Sequence, residues 1–72
     1  MGNVFVQIRL YEARMARGMS LRELERRSGI SHSALGRYEN GQCSPRLDDV
    51  YAIAAALDVT IWDLLPDVNP FL

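Results

Sequence analysis

The chain has one cysteine, one histidine, no lysine, and no basic residue of any kind after Arg46. No apolar run approaches the roughly 18 residues that a membrane span requires, and no secretory-signal layout is present. Each shortage excludes something. Cys43 alone rules out an internal disulfide framework, and a reducing, cytoplasmic setting is the expectation. It follows Gly41 in a loop and, with no second thiol to meet, reads as an inert residue rather than a redox switch. His32 has no companions from which to build a metal site, so neither a metal nor another cofactor is expected. No acid–base–nucleophile set stands out, because the serines are accounted for as helix caps, and an enzyme is the weakest of the functional readings. There is no internal repeat, no low-complexity stretch and no evident small-molecule site.

What remains is a chain of 72 residues, 49% hydrophobic and 24% charged. That length holds one hydrophobic core, so residues 1–72 read as a single compact domain. The net charge of −1 hides an asymmetry. All eight basic residues are arginines between Arg9 and Arg46, against Glu12, Glu23, Glu25 and Glu39, which leaves that half at +4. Residues 47–72 carry Asp48, Asp49, Asp58, Asp63 and Asp67 and no base, at −5. One half can meet phosphate while the other faces away.

Apolar spacing through Val6, Leu10 and Ala13 predicts a first helix from about Val6 to near Gly18. Val4, Val6, Ile8 and Leu10 also alternate, which leaves a short extended segment as the alternative. Three later helices share one starting device. Met19-Ser20 precedes Leu24, Ile30-Ser31 precedes Leu35, and Val59-Thr60 precedes Leu64: a hydroxyl to cap orphan N–H groups, and an apolar neighbour to staple the first turn. Glu23 is expected to complete a capping box with Ser20, and Asp63 to do something weaker for Thr60. The remaining helix runs from about Leu47 to Leu57. Its expected buried stripe is Leu47, Val50, Ile53, Ala54 and Leu57, and Asp48 and Asp49 suit the positive end of its dipole. Pro66 stops the last helix. The sum is all-α: five short helices and no required strand.

Ser20 and Ser31 are eleven residues apart, with Gly29 between, which is the layout of a helix-turn-helix over about residues 20–40. At about 100° per residue, His32, Ser33, Gly36, Arg37 and Asn40 share one arc of roughly 140°, opposite Ala34, Leu35 and Tyr38. Arginine can read guanine bidentately, and serine, asparagine and histidine can reach base edges or phosphates. Gly36 weakens the helix by about 1 kcal/mol relative to alanine; it either lets the backbone approach the groove floor or is a neutral choice. Double-stranded DNA is the expected partner.

At this point the chain resembles a known family. Leu24, Gly29-Ile30-Ser31, Leu35 and Arg37-Tyr38-Glu39-Asn40-Gly41 look like the helix-turn-helix of lambda repressor-like, Cro/cI-type (XRE) domains. The likeness extends to the run from Arg14 to Ser20, to Pro45 with Leu47, and to Ala56-Leu57-Asp58-Val59, about residues 8–65 in all. It implies a five-helix lambda repressor-like fold whose second and third helices bind DNA, commonly as a homodimer. Position by position, it implies base reading by His32, Ser33 and Arg37, with Gly36 on the same face. Phosphate contacts are expected from Ser20, Arg22, Asn40, Gln42 and Arg46, and an Arg14–Glu39 salt bridge between the first and third helices. Leu21 stands where relatives often have glutamine, with Arg22 beside it as a substitute contact; Glu25 stands for a usual alanine at a tight helix crossing. Asp58 stands for a usual glycine, and Arg46 for a serine cap. Arg26 and Arg27 are either further phosphate contacts or a solvated face.

Trp62 is an aromatic at a position the helix periodicity does not demand. Either it caps the monomer core or, with Leu65 and with Phe71 in the tail of residues 66–72, it forms a dimer interface. The resulting expectation is a small, sequence-specific, dimeric transcriptional regulator, a repressor in a bacterium or its phage, with no membrane attachment. The competing reading is a protein-binding module, such as an antitoxin or adaptor, with secondary DNA affinity.

Overall fold

The computed structural model describes residues 7–66, which form five helices: α1 (Leu10–Ala16), α2 (Leu21–Ser28), α3 (His32–Glu39), α4 (Leu47–Leu57) and α5 (Ile61–Leu64). No strand occurs among the described residues. The core is apolar throughout, built from Leu10, Leu24, Leu35, Ile53, Leu57 and Leu64, with Ile8, Tyr38, Val50 and Ala54 around them. Helix α2 lies against both α3 and α4, α4 against α5, and α1 closes over α3 and α5.

The first helix begins later than the spacing predicts. It starts at Leu10 rather than Val6, which itself lies outside the described residues, and residues 7–9 have no regular structure. The cause is a tertiary bond. The Arg9 N–H donates to the Leu64 carbonyl of α5 at 2.7 Å, so that donor is already satisfied outside any helix, while Ile8 is buried in the core. Ile8 and Leu10 are both buried with Arg9 exposed between them, yet Arg9, at φ −87° and ψ 54°, is not extended, and Val4 and Val6 lie outside the described residues.

The three hydroxyl caps form. Ser20 Oγ accepts from Glu23 N–H at 3.0 Å, Ser31 Oγ from Ala34 N–H at 3.2 Å, and Thr60 Oγ1 from Asp63 N–H at 3.3 Å. The capping box is on the other helix from the one expected. Glu23 turns away from Ser20 to accept from Arg26 and from Arg27 Nε, whereas Asp63 reaches back to the Thr60 N–H at 3.0 Å and completes the box. Two positive charges outcompete one backbone donor for Glu23. The Thr60 bonds also hold the Asp63 carboxyl below its usual range.

Helices α2 and α4 end alike, on a left-handed residue. Gly29 at φ 78° donates to the Glu25 carbonyl and reverses the chain between α2 and α3. At the end of α4 the corresponding left-handed position falls on Asp58, φ 57° and ψ 46°. Val59 N–H bonds to Ala54 and Asp58 N–H to Ala55, a Schellman closure formed despite a Cβ that costs about 1–2 kcal/mol there. Arg17 steadies it by donating to the Asp58 carbonyl at 2.9 Å.

Leu47 corrects the α4 stripe: it is 67% exposed, and the core face begins at Val50. The first turn of α4 is held instead through Asp49, whose carboxylate accepts the Tyr38 hydroxyl at 2.6 Å.

Helix α3 is tied to α1 by Arg14 and Glu39. Arg14 Nε donates to Glu39 Oε2 at 2.6 Å and Nη2 to Oε1 at 3.2 Å, while Nη1 donates to the Met19 carbonyl at 2.8 Å. The side chains are only 12% and 9% exposed, and Arg14 also lies 5.6 Å from the Tyr11 ring centroid. The bond to Glu39 raises the Arg14 pKa further above its ordinary value. Removing one partner of so enclosed a pair strands the other charge, at a cost of ~3–5 kcal/mol. Glu39→Ala is thus expected to lower the melting temperature severely, whereas Glu25→Ala, at a half-exposed site, is not. Parallel thermal melts followed by circular dichroism check this, and similar shifts in both variants would refute the assignment.

Candidate nucleic-acid interface

Helix α3 presents two chemically distinct sides. Leu35 and Tyr38 are buried, while Ser33, Arg37 and Asn40 are exposed, with His32 and Gly36 half-buried. Ser33 and Arg37 have no side-chain hydrogen bond or ion pair among the described residues. A Cβ built on Gly36 meets nothing within 4 Å, so the protein's own packing does not require glycine there. His32 is not free: its Nδ1 lies 3.0 Å from Glu25 Oε1, across the turn on α2.

The loop after α3 is set by backbone bonds. Gly41 N–H reaches the Tyr38 carbonyl and Gln42 N–H the Arg37 carbonyl at 2.9 Å, which fixes Asn40 and Gln42 at the end of the helix with both exposed. The Gln7 side chain sits so close to Gly41, at φ 70°, that an added Cβ would meet it at 3.0 Å. Ser20 spends its hydroxyl oxygen as an acceptor in capping α2. Its O–H hydrogen has no acceptor among the described residues.

Carboxylate pairing divides the eight arginines. Glu12 takes Arg9 at 3.5 Å, Glu39 takes Arg14, and Glu23 takes both Arg26 and Arg27. Those last two contacts draw the Glu23 carboxyl below its usual range, the hydrogen bond from Arg27 being the largest single cause and that from Arg26 the next. Arg17 is spent on the Asp58 carbonyl. Arg22 in the first turn of α2, Arg37 on α3 and Arg46 before α4 are exposed and pair with no carboxylate among the described residues. Arg26 and Arg27 thus share a single carboxylate and remain exposed, with one positive charge left over between them, while Arg22 pairs with none.

Two further links were not foreseen. Tyr38 is a packing residue whose hydroxyl also anchors α4, and Glu25 meets His32. Both join residues on different elements, so no periodicity within one helix could have revealed them. Trp62 is 76% exposed, which removes the reading of it as a cap on the monomer core. It borders a shallow cleft between α1 and α5 with Ala13, Ala16, Arg17 and Val59. Leu65, three residues on, is half-buried; Phe71 lies outside the described residues. Among the described residues no cluster of His, Cys, Asp or Glu is arranged to hold a metal, and no helix is long and apolar enough to cross a membrane.

Residues 10–61 match the family described as Helix-turn-helix. The chain belongs to the Cro/cI-type helix-turn-helix family. It is 42% identical over 52 residues to the uncharacterized HTH-type transcriptional regulator y4dL of Sinorhizobium fredii; that stretch is 72% of this chain but 26% of the relative, so the chain spans about a quarter of that protein's length. Among solved structures it resembles the restriction-modification controller protein C.AhdI of Aeromonas hydrophila. That match has 36% identity and a TM-score of 0.73, covering 76% of this chain and 83% of the other. The clp gene regulator ClgR of C. glutamicum matches at 28% identity and TM-score 0.71, over 75% and 70% of the two chains. A Bacteroides fragilis structure at 21% identity and TM-score 0.78, over 86% of this chain and all of the other, shows the shared fold alone. In this Cro/cI-type domain α2 and α3 are the two helices of the DNA-binding motif.

Tyr38 stands at the junction that presents that motif. Its bond to Asp49, with burial as the second cause, pushes the phenol pKa up to about 12. Because the folded value lies above the unfolded value of about 10, the stabilisation is complete below pH ~10 and disappears as pH rises through the folded value. Tyr38→Phe is expected to cost about 1–2 kcal/mol at neutral pH. It should also flatten the alkaline loss of stability. The difference between ultraviolet phenolate titrations of the wild type and the variant gives the Tyr38 midpoint directly, and a midpoint near 10 would contradict the anchoring role.

Proposed function

We propose that the protein is a sequence-specific DNA-binding transcriptional regulator that acts as a small homodimeric repressor. The observation that carries this reading is the outer face of α3: Ser33, Arg37 and Asn40 are exposed, and Ser33 and Arg37 are unengaged, on the second helix of a helix-turn-helix whose inner face is fixed by Leu35 and Tyr38. Its likeness to a restriction-modification controller protein, to a clp gene regulator and to an HTH-type transcriptional regulator of Sinorhizobium fredii supports the same direction. In this reading Arg37 reads a guanine, His32 and Ser33 read neighbouring base edges, and Gly36 lets the helix backbone come close. Ser20, Arg22, Asn40, Gln42 and Arg46 hold phosphates.

The experiment is selection from random duplexes, followed by titration of the selected site over a range of salt. Arg37→Ala is expected to cost about 1–3 kcal/mol at the preferred site and to relax preference at one position of each half-site. If Arg22, Arg46 and one further cation of each subunit neutralise phosphates, a dimer releases about six counterions, and log K falls against log salt with a slope near −5. A slope near zero would remove DNA as the principal partner.

One recognition helix spans few base pairs, so a second half-site roughly 34 Å away supplies the rest of the specificity. A two-fold contact through Trp62 and Leu65 would set that spacing. Trp62→Glu is then expected to give a folded monomer with much weaker operator binding, read by sedimentation and circular dichroism on one sample. A variant that stays dimeric places the self-association elsewhere and turns the Trp62 face toward another protein.

A further inference from the structure

The bond between Glu25 and His32 constrains more than position. At neutral pH a carboxylate offers only lone pairs, so the hydrogen shared between Glu25 Oε1 and His32 Nδ1 at 3.0 Å belongs to the imidazole. The neutral ring carries one N–H, so its other nitrogen, Nε2, is left as an acceptor. Glu25 is available for this role because the arginines beside it are engaged elsewhere: Arg26 and Arg27 both close on Glu23. Arg22, one turn earlier, makes no ion pair with it. The two side chains are 39% and 35% exposed, so the ring is held at one edge while enough of it stays accessible to meet a ligand. His32 is the first residue of α3, and Glu25 belongs to α2, so the ring's orientation is set from the other helix of the motif.

We infer that Glu25 is a positioning residue that fixes the His32 tautomer, and that His32 therefore selects a base bearing an exocyclic amine, adenine or cytosine, in the major groove. The inference rests on the reading of α3 as the base-reading helix. Adenine N6 and cytosine N4 donate toward the groove, whereas guanine there offers O6 and N7, and thymine offers O4 and a methyl group. A lone pair on Nε2 is matched by the first pair and opposed by the acceptors of the second. Without Glu25 either tautomer is open to the ring, and the distinction fades.

The test compares wild type, Glu25→Ala and Glu25→Gln in random-duplex selection at about pH 8, above the ordinary range of imidazole titration. Nitrogen-correlated NMR of the imidazole in the free protein accompanies it. Wild type is expected to show a hydrogen on Nδ1 and none on Nε2, and to require adenine or cytosine at one position of each half-site; which of the two is selected identifies the base. Glu25→Ala is expected to lose about fivefold in discrimination at that position alone, the equivalent of one hydrogen bond. Its melting temperature and its preference at the Arg37 position should stay near wild type. Glu25→Gln, whose amide can turn either its oxygen or its NH2 toward Nδ1, should keep the contact without fixing the tautomer and lose the preference as Glu25→Ala does. The inference is overturned if wild type carries its hydrogen on Nε2, if Glu25→Ala leaves that position unchanged, or if all positions weaken together. Failure of the underlying reading looks different: wild type then selects no duplex at all.

Discussion

The geometry of the recognition helix depends on the Arg14–Glu39 pair. Helix α3 has eight residues, too short to be stable on its own, so its direction comes entirely from what holds its two ends and its inner face. Leu35 and Tyr38 anchor the inner face, and apolar contact alone would permit some rotation and sliding. The bidentate bond from Arg14 removes that freedom at the C-terminal end of α3, and the third bond, to the Met19 carbonyl, extends the same guanidinium to the chain that enters α2. A single arginine on α1 thus references both helices of the motif to one point. Its enclosure strengthens each bond and makes any missing partner costly.

The N-terminal end of α3 is governed differently. There Ser31 caps the helix, Gly29 reverses the chain, and Glu25 holds His32. These contacts are more exposed, so they contribute less to folding than the pair at the far end. Stability is concentrated at the end of α3 farther from the turn, and adjustable polar contacts lie at the end nearer to it.

Much of this was legible in the chain, and the reasons for the failures are specific. Hydroxyl caps, the glycine turn and the wheel of α3 are local, and local chemistry decided them: the caps at Ser20, Ser31 and Thr60 form, and the buried side of α3 is the apolar one. The left-handed position of Asp58 followed from the resemblance. The errors all involve competition from outside the element. Helix α1 lost its first turn to a carbonyl on α5, Glu23 left its cap for two arginines, and Leu47 was left outside the core that the rest of its stripe enters. Likewise, the apolar character of Trp62 was evident but its exposure was not, since that depends on what α1 leaves uncovered.

Charge shows the same limit most clearly. An excess of positive charge in the first two-thirds of the chain could be counted, but not which arginines carry it outward. The fold answers by spending glutamates selectively. Glu12, Glu23 and Glu39 pair with Arg9, Arg14, Arg26 and Arg27, and Glu25 is given to histidine, so none is left beside Arg22, Arg37 or Arg46. Arg9 and Arg17 lie on the α1–α5 side, in the cleft with Trp62. A net charge near zero is therefore compatible with an anion-binding surface, because what a phosphate meets is the local field of unpaired cations rather than the sum over the chain. The aspartates that balance the total also work locally: Asp49 anchors Tyr38 and Asp63 closes the α5 cap, so the acidic half helps hold the fold that the basic half uses.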